Sequence, residues 1–182
     1  MGKLFIISGP SGAGEDSVIE GLQKRMSLTR VITTTTREMR DGEMQGAPYY
    51  FISHEEFQQK IKDDGFFEYA ELDRGKLYGV TNEELQRVKE SESVGIWKMD
   101  YKGVLFLKEK EPSIPAIFIW ASLDVLEERI RFRGGVDEAF ILERISYAQG
   151  WFDNRDIFDF EVENVQGKLE ETVSQIEKIV KS

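Results

Sequence analysis

The segment KLFIISGPSGAGEDS, residues 3–17, places a short apolar run directly before a glycine-rich loop. The apolar run predicts a buried strand over residues 3–8, and the pattern after the loop predicts a helix over residues 14–26. A loop of this kind between a strand and a helix is typical of phosphate binding, because its glycines let the backbone wrap a phosphate and the helix N-terminus favours negative charge. The sequence therefore predicts a phosphate-binding loop formed by Gly9, Pro10, Ser11, Gly12, Ala13 and Gly14.

The residues after this loop depart from the usual pattern. A Walker sequence continues with a lysine and then a serine or threonine, whereas this chain continues with Glu15, Asp16 and Ser17. A carboxylate about 4 Å from a phosphate, at an effective dielectric constant of ~20, costs about 4 kcal/mol. Two interpretations follow: either Glu15 points away and is neutralised, or the loop binds its nucleotide weakly or not at all.

The rest of the chain divides into short strands and helices. Strands are predicted at residues 49–53, 66–72, 77–80, 95–100, 115–121 and 160–163, with an extended Thr-rich stretch at 31–37. Capping boxes are predicted at Ser53 with Glu56 and at Thr81 with Glu84, opening helices that end near residues 63 and 92. Further helices are predicted at residues 101–109, 123–133, 137–154 and 168–180.

The order of these elements indicates the fold class. In the outer parts of the chain strands alternate with helices, which predicts an α/β fold with a parallel sheet and helices on both faces. Residues 32–80 interrupt this alternation with consecutive short strands and little helix, which indicates an inserted β lobe. A length of 182 residues suits one such domain.

The composition excludes several classes of function. A net charge of −10 is unlike that of a non-specific nucleic-acid binder, so no nucleic-acid partner is expected. With no cysteine and a single histidine, His54, the chain cannot build disulfides, zinc-thiolate sites or multi-histidine metal sites. The apolar run near residue 3 is too short for a signal peptide or a membrane span. We therefore expect a soluble, cytoplasmic protein with no membrane partner.

The middle of the chain carries a second set of motifs. These are TTTTREMRDGE at residues 33–43, Gly46, YYF at 49–51, FEYA at 67–70 and LYGVT at 77–81. In this order and spacing, together with the loop, they make the chain resemble the guanylate kinase family over almost its whole length. The resemblance implies a P-loop NTPase-type core at residues 1–32, 82–123 and 154–182, a small β-rich GMP-binding lobe at 33–81 and a helical lid at 124–153. It also implies phosphoryl transfer from ATP to GMP, with Mg²⁺.

The same resemblance implies two groups of ligand-binding residues and a pair of lid arginines. GMP is expected to bind Thr33, Arg37, Arg40, Tyr49, Glu68, Tyr78, Thr81 and Asp100. ATP is expected to bind the glycine loop, its continuation Glu15, Asp16 and Ser17, and Asn164 at the adenine end. The lid arginines that close over the triphosphate are Arg133 and Arg144, with Arg129 assisting.

The chemistry of these side chains suits their implied roles. Arginine forms bidentate hydrogen bonds with phosphate and stays charged. Glu68 can accept from guanine N1–H and N2–H together, a donor pair that adenine lacks. The GMP phosphate itself attacks the γ-phosphoryl group, so the reaction needs no nucleophilic side chain. Because Mg²⁺ prefers hard oxygen ligands, Asp16 and Ser17 are the expected metal ligands.

Lys98 is the least expected residue near the implied site. It lies two residues before Asp100 on one predicted strand, so both side chains leave the same face. The corresponding position in the family is usually acidic, which indicates an exchange of charges between the loop and the neighbouring strand. We therefore predict that Lys98 pairs with Glu15 and takes over the catalytic role of the missing lysine. The alternatives are an unrelated surface lysine and, for Asp100, a simple helix N-cap.

Two other functions remain as alternatives. Guanylate-kinase-like scaffold domains are catalytically weak or inactive and bind GMP or a phosphorylated partner; Glu15 favours this alternative, whereas Arg133 and Arg144 argue against it. The second alternative is a kinase for another phosphorylated sugar or nucleotide, because an aspartate after the loop also occurs in a related ribose bisphosphate kinase. The set of Thr33, Glu68 and Tyr78 argues against that substrate.

Overall fold

The computed structural model of the chain describes residues 3–47, 49–72 and 75–182. These residues form two compact units, which we call the lobe unit, residues 29–95, and the core unit, residues 3–28 with 96–182. The lobe unit contains the predicted GMP-binding lobe, residues 33–81, and extends beyond it at both ends. Each unit has buried apolar side chains of its own.

The secondary structure follows the predicted order of elements. In the described residues the strands are β1 (Leu4–Ser8), β2 (Leu28–Arg30), β3 (Thr33–Thr35), β4 (Tyr49–Phe51), β5 (Phe66–Leu72), β6 (Lys76–Thr81), β7 (Val94–Lys98), β8 (Ala116–Trp120) and β9 (Phe160–Glu163). The helices are α1 (Glu15–Gln23), α2 (His54–Lys62), α3 (Asn82–Glu90), α4 (Tyr101–Lys110), α5 (Leu123–Arg133), α6 (Glu138–Asp153) and α7 (Leu169–Lys181), with a 3₁₀ turn at Arg155–Ile157. None of the helices in the described residues combines the length and apolar character needed to cross a membrane.

A five-stranded sheet has the order β2-β7-β1-β8-β9. The β1–β8 and β8–β9 pairs are parallel, with Ile7 opposite Ile117 and Ile119 opposite Val162. Helix α7 packs against α1 so closely that a Cβ added at Gly21 would lie 2.6 Å from Val173. The strands of this sheet carry continuous runs of buried apolar side chains, as expected for a parallel sheet covered by helices. The predicted fold class is therefore confirmed.

The lobe unit contains a separate mixed sheet with the order β4-β3-β6-β5. Strands β3 and β4 are parallel, whereas β3–β6 and β5–β6 are antiparallel. Phe57 of α2 stacks on Phe66, and both pack with Leu77 in a small apolar cluster. Because side chains alternate along a strand, Tyr78 points to the opposite face from Leu77. The sheet thus has one face packed against α2 and another that carries Tyr78.

Two details differ from the sequence prediction. Within the extended stretch predicted at residues 31–37 only Thr33–Thr35 form a strand, β3, whereas β2 at Leu28–Arg30 precedes the stretch and was not predicted. The capping box at Ser53 and Glu56 is confirmed, with both reciprocal bonds formed. At Thr81 only the first bond exists: its hydroxyl accepts from Glu84 N at 3.1 Å. The Glu84 carboxylate instead binds Ile32 N and Arg87, so the predicted second box is wrong.

Candidate active site

The predicted phosphate-binding loop joins β1 to α1. Gly12 and Gly14 have φ angles of 90° and 92°, a left-handed conformation that glycine adopts without strain. The N–H of Ala13 donates to Pro10 O at 2.9 Å, which closes the turn. A Cβ added at Gly9 would lie 2.4 Å from Ile119 O, so the backbone there passes too close to β8 for any side chain.

Two side chains from elsewhere in the chain donate hydrogen bonds to carbonyl groups of the loop. Asn164 Nδ2 donates to Ala13 O at 2.7 Å, and Arg129 Nη1 donates to Gly12 O at 3.0 Å. The other terminal nitrogen of Arg129 donates to Asn164 O at 2.8 Å. Asn164 and Arg129 are therefore anchors of the loop, a role that the sequence did not indicate for Arg129.

Glu15 is half-buried and turns back over the loop, where its Cγ would lie 3.3 Å from a Cβ added at Gly9. Burial raises the pKa of the Glu15 carboxyl from 4.5 to about 8, with Asp16 and Asp100 acting in the same direction and Lys98 against it. Near neutral pH the group is mostly protonated, so the repulsion of about 4 kcal/mol expected for an ionised carboxylate is largely removed. Of the two interpretations of this loop, neutralisation is the one that the structure supports, although Glu15 does not point away.

Lys98 ends β7 and reaches the first turn of α1, but its ion-pair partner is not Glu15. Its Nζ lies 2.8 Å from Asp16 Oδ2. The predicted Glu15–Lys98 pair is wrong, because burial favours the neutral form of the Glu15 carboxyl whereas Asp16 is exposed. The exposed fractions of the two side chains, 36% for Lys98 and 60% for Asp16, mean that the pair contributes little to stability. It does bring an ammonium group to the start of α1.

Asp100 is the N-cap of α4, which confirms the capping alternative. Its Oδ1 accepts from Gly103 N at 2.9 Å, and its Oδ2 accepts from the Tyr147 hydroxyl at 2.8 Å. Burial and the hydrogen bond to Asp100 raise the pKa of the Tyr147 hydroxyl above its usual range. Tyr147 was not among the predicted site residues; its position three residues after Arg144, on the same helix face, was the available signal.

The two predicted lid arginines differ in their surroundings. Arg144 is half-buried on α6, with its guanidinium 4.8 Å from the centroid of the Phe140 ring. Among the described residues its buried Nε has no hydrogen-bond partner. An unpaired buried donor is costly, and such groups often mark functional positions. Arg133 is exposed at the end of α5, just before Gly134.

Four of the eight predicted GMP residues share one face of the lobe sheet, which we call the Tyr78 face. In the strand registers Thr33 lies opposite Tyr49, Thr35 lies opposite Tyr78, and Glu68 lies opposite Val80. Directly opposed residues point to the same side of a sheet, as do residues two apart along a strand. The bulge between Phe66 and Glu68 is what places Glu68 on this side rather than with Phe66.

Arg37 is fixed against the Tyr78 face by several contacts. Its guanidinium lies 5.3 Å from the ring centroids of Tyr49 and Phe51, and Nη2 donates to Glu43 Oε1 at 2.7 Å. The other oxygen of Glu43 accepts from Arg40 N at 2.8 Å, while the Arg40 side chain is exposed. The hydrogen bond to Glu43 raises the pKa of Arg37, which holds the group cationic.

Thr81 lies apart from the Tyr78 face. It is three residues after Tyr78 on β6 and pairs with Phe66, so its side chain has the opposite direction. Its oxygen already caps α3, although its hydroxyl hydrogen could still be donated. Of the predicted GMP residues of the lobe, Thr81 is the one that the sheet register separates from Thr33, Tyr49, Glu68 and Tyr78.

The predicted magnesium ligands lie where the loop ends. Asp16 and Ser17 are exposed in the first turn of α1. Within the described residues no group of three or more acidic or histidine side chains is arranged to hold a metal ion by itself. Mg²⁺ usually takes one or two protein oxygens and completes its shell with water and phosphate. A hydroxyl and a carboxylate beside a phosphate-binding loop fit that kind of site.

Comparison with known proteins agrees with this geometry. A sequence model of the family described as "Guanylate kinase" matches residues 1–182. Guanylate kinase of Haemophilus influenzae (strain 86-028NP) is 37% identical over 189 residues, covering 100% of this chain and 88% of that protein. Guanylate kinase of Escherichia coli (strain K12) is 34% identical over 168 residues, covering 90% and 81%.

A solved structure agrees as well. The crystal structure of guanylate kinase from Anaplasma phagocytophilum has a TM-score of 0.71 and 25% sequence identity, covering 99% of this chain and 85% of that one. The chain therefore belongs to the guanylate kinase family.

Proposed function

We propose that this chain transfers the γ-phosphoryl group of ATP to GMP, giving ADP and GDP, with Mg²⁺ as cofactor. The family match over the full chain carries the proposal. The Tyr78 face and the glycine loop supply the two kinds of binding group that the reaction needs. In the chemical step an oxygen of the GMP phosphate forms a bond to the γ-phosphorus, and the bond from that phosphorus to the β–γ bridging oxygen breaks. A reaction that consumes ATP also fits a cytoplasmic location.

GMP binds to the Tyr78 face in this proposal. Arg37, already oriented by Glu43 and by the rings of Tyr49 and Phe51, gives a charge-assisted pair to the phosphate. Arg40, Tyr49 and Tyr78 add further donors. On the same face Glu68 and Thr33 contact the guanine edge, and Glu68 accepts from the two donors that adenine lacks. Thr81 is not part of this set, because its side chain points to the opposite side of the sheet.

ATP binds at the glycine loop and the N-terminus of α1. The loop backbone and the helix dipole favour the phosphates, and Asn164 and Arg129 keep the loop in shape. A protonated Glu15 neither repels the phosphates at full strength nor supplies positive charge. Lys98, held beside the loop by Asp16, supplies that charge instead, as a point charge on a flexible stem.

The remaining roles fall to the lid and to Asp100. Arg144 and Arg133 stabilise the charge on the transferring phosphoryl group, as arginines do in phosphoryl transfer. Asp100 is held at both oxygens and orients GMP or a magnesium-bound water. When bound, Mg²⁺ would neutralise charge on the phosphate oxygens, and Asp16 and Ser17 would hold it.

A coupled assay of ADP release tests this function. With ATP and Mg²⁺ we expect turnover with GMP and a kcat/KM for AMP that is lower by about two orders of magnitude or more. Calorimetric titration with GMP is run on the same preparation. Saturable GMP binding without any turnover would reject the kinase and leave a GMP-binding module.

A further inference from the structure

Glu84 in the first turn of α3 is a buried carboxylate on the side of the lobe sheet opposite to the Tyr78 face. It is only 3% exposed. A buried carboxylate is costly unless it is paired and hydrogen-bonded. Its oxygens accept from Ile32 N at 2.7 Å, from Arg87 Nε at 2.8 Å and from Arg87 Nη2 at 2.7 Å. The Tyr50 hydroxyl donates a longer bond of 3.4 Å to the same group.

The groups bound to Glu84 belong to three strands or their ends. Ile32 directly precedes β3, and Tyr50 is the central residue of β4. Thr81, the last residue of β6, accepts from the backbone N–H of Glu84 itself. Arg87 extends the cluster by donating to Arg30 O of β2 at 2.8 Å. One side chain and its own amide thus connect the start of β3, the middle of β4 and the end of β6.

Two of these positions are next to residues proposed to contact GMP. Ile32 precedes Thr33, and Tyr50 follows Tyr49. Because neighbouring residues of a strand point to opposite faces, contacts made behind the sheet at residues 32 and 50 leave the side chains of 33 and 49 on the Tyr78 face. The back of the sheet here is a pocket of about 370 Å³ lined by Thr34, Tyr50, Thr81, Glu84 and Arg87, among others.

We infer that Glu84 is a positioning residue for GMP: it fixes the backbone at Ile32 and the ring of Tyr50, and thereby sets Thr33 and Tyr49 for the nucleotide. This inference rests on the proposed binding of GMP to the Tyr78 face. Binding groups that are already oriented lose less entropy when the ligand arrives. Glu84 belongs to the lobe unit, as do the proposed GMP residues of the Tyr78 face, so we expect its effect on the GMP side of the reaction.

The test is steady-state kinetics of Glu84→Gln with Glu83→Gln as the matched control. Glu83 is the preceding residue of the same helix turn and is exposed. Glu84→Gln keeps an acceptor for Ile32 N but weakens the hold on Arg87. We expect its KM for GMP to rise on the order of tenfold, with kcat and the KM for ATP within about twofold of the parent. A residue that only stabilised the fold would lower the melting temperature and leave the KM for GMP unchanged.

Tyr50→Phe covers the case in which Glu84→Gln does not fold. It removes one hydroxyl that contacts Glu84 and leaves no charge unpaired, and it should raise the KM for GMP in the same direction by a smaller factor. Combined with Glu84→Gln, the two changes should be non-additive in GMP binding. An unchanged KM for GMP in whichever of these variants fold would overturn the inference.

Arg37→Ala, measured in parallel, separates the two proposals. If Arg37→Ala raises the KM for GMP and Glu84→Gln does not, the role of Glu84 is rejected and the GMP face stands. If Arg37→Ala also leaves the KM for GMP unchanged, the proposed GMP face itself is wrong, and the inference about Glu84 is overturned with it.

Discussion

Glu15 shows how one residue can change the electrostatics of a phosphate-binding loop. A lysine at this position supplies a positive charge to phosphate, whereas a buried carboxyl with a pKa of about 8 supplies almost no charge near neutral pH. The position is therefore neutralised rather than inverted. Lys98, which pairs with Asp16, brings a positive charge to the first turn of α1. The charge of this loop is therefore expected to change with pH near pH 8, where a lysine would stay cationic.

The raised pKa of Glu15 predicts a loss of stability as pH rises. The unfolded chain releases this proton near pH 4.5 and the folded chain near pH 8, so between these values the folded state binds more protons. The stabilisation is complete below pH 4.5 and is lost as pH rises toward 8. We expect this group alone to lower the free energy of unfolding by about 2 kcal/mol across the window, less than the full shift because the side chain is partly exposed.

Denaturant unfolding of the nucleotide-free protein at pH 5 and pH 8 measures this effect. Glu15→Gln should remove that part of the pH dependence and be more stable than the parent at pH 8. Glu20→Gln, an exposed position on the same helix, is the control, and its free energy of unfolding should change with pH as in the parent. The same pH dependence in the parent and in Glu15→Gln would show that the Glu15 carboxyl titrates normally.

Lys98 is predicted to supply the charge that the loop lacks. Lys98→Met should lower kcat on the order of a hundredfold, comparable to the loss of a transition-state hydrogen-bond donor, and leave the affinity for GMP nearly unchanged. Lys24→Met, at the exposed far end of α1, serves as the control and should be neutral. Full activity in Lys98→Met would leave only the surface-lysine interpretation.

Glu68 is predicted to set the preference for guanine. Glu68→Gln replaces one acceptor with a donor that faces guanine's own donors, so discrimination between GMP and AMP should fall by about 1–3 kcal/mol. Calorimetry with both nucleotides measures this difference. Glu71→Gln, which lies further along β5 with the opposite side-chain direction, should leave the discrimination intact. If the parent binds AMP as tightly as GMP, Glu68 does not read the base.

At the scale of elements, helix α6 gathers several functional contacts on one face. Arg144, Tyr147 and Trp151 are spaced three and four residues apart, so they lie on the same side of the helix. Tyr147 binds Asp100, and Trp151 Nε1 donates to Ser8 Oγ at 2.8 Å at the end of β1. The rings of Tyr147 and Trp151 also meet edge to face, 5.4 Å apart. The predicted lid helix is therefore attached to the ends of the core strands along its C-terminal half.

The Tyr147–Asp100 bond is predicted to fix this helix and α4 together. Tyr147→Phe removes only the hydroxyl and keeps the aromatic packing, so we expect a loss of about 1–2 kcal/mol in the free energy of unfolding. The change should be smaller in an Asp100→Asn background, because the two residues share one contact. Tyr101→Phe, in the same aromatic group, controls for ring packing. Additive effects of Tyr147→Phe and Asp100→Asn would argue against the coupling.

At the scale of the whole molecule, local patterns predicted most of the fold, and partners distant in sequence were harder to predict. The strand–loop–helix at residues 4–23 and the cap at Ser53 depend on neighbouring residues, which periodicity and capping chemistry report. The contacts of Glu84 with Ile32, and of Tyr147 with Asp100, join residues 52 and 47 positions apart. Lys98 was correctly predicted to lie near the loop, but its choice of Asp16 over Glu15 depends on side-chain directions and burial that no sequence pattern carries.

The division into two units leads to a prediction about where each ligand stabilises the protein. The proposed GMP residues of the Tyr78 face all belong to the lobe unit, whereas the glycine loop, Lys98 and the lid arginines all belong to the core unit. A ligand that binds the folded state slows the local opening of the segments that it contacts. GMP alone should therefore slow amide hydrogen exchange mainly in β3, β4 and β6, and ADP with Mg²⁺ mainly in residues 9–23.

Hydrogen-exchange mass spectrometry of the free protein and of each complex measures this pattern. In Arg37→Ala the protection by GMP should disappear while the protection by ADP persists, because only the phosphate contact on the Tyr78 face is removed. Lys98→Met should show the reverse, with weaker protection of residues 9–23 by ADP and unchanged protection of the lobe strands by GMP. Protection of the loop by GMP as strong as that by ADP would mean that GMP occupies the glycine loop, and the assignment of the two nucleotides to separate units would then be wrong.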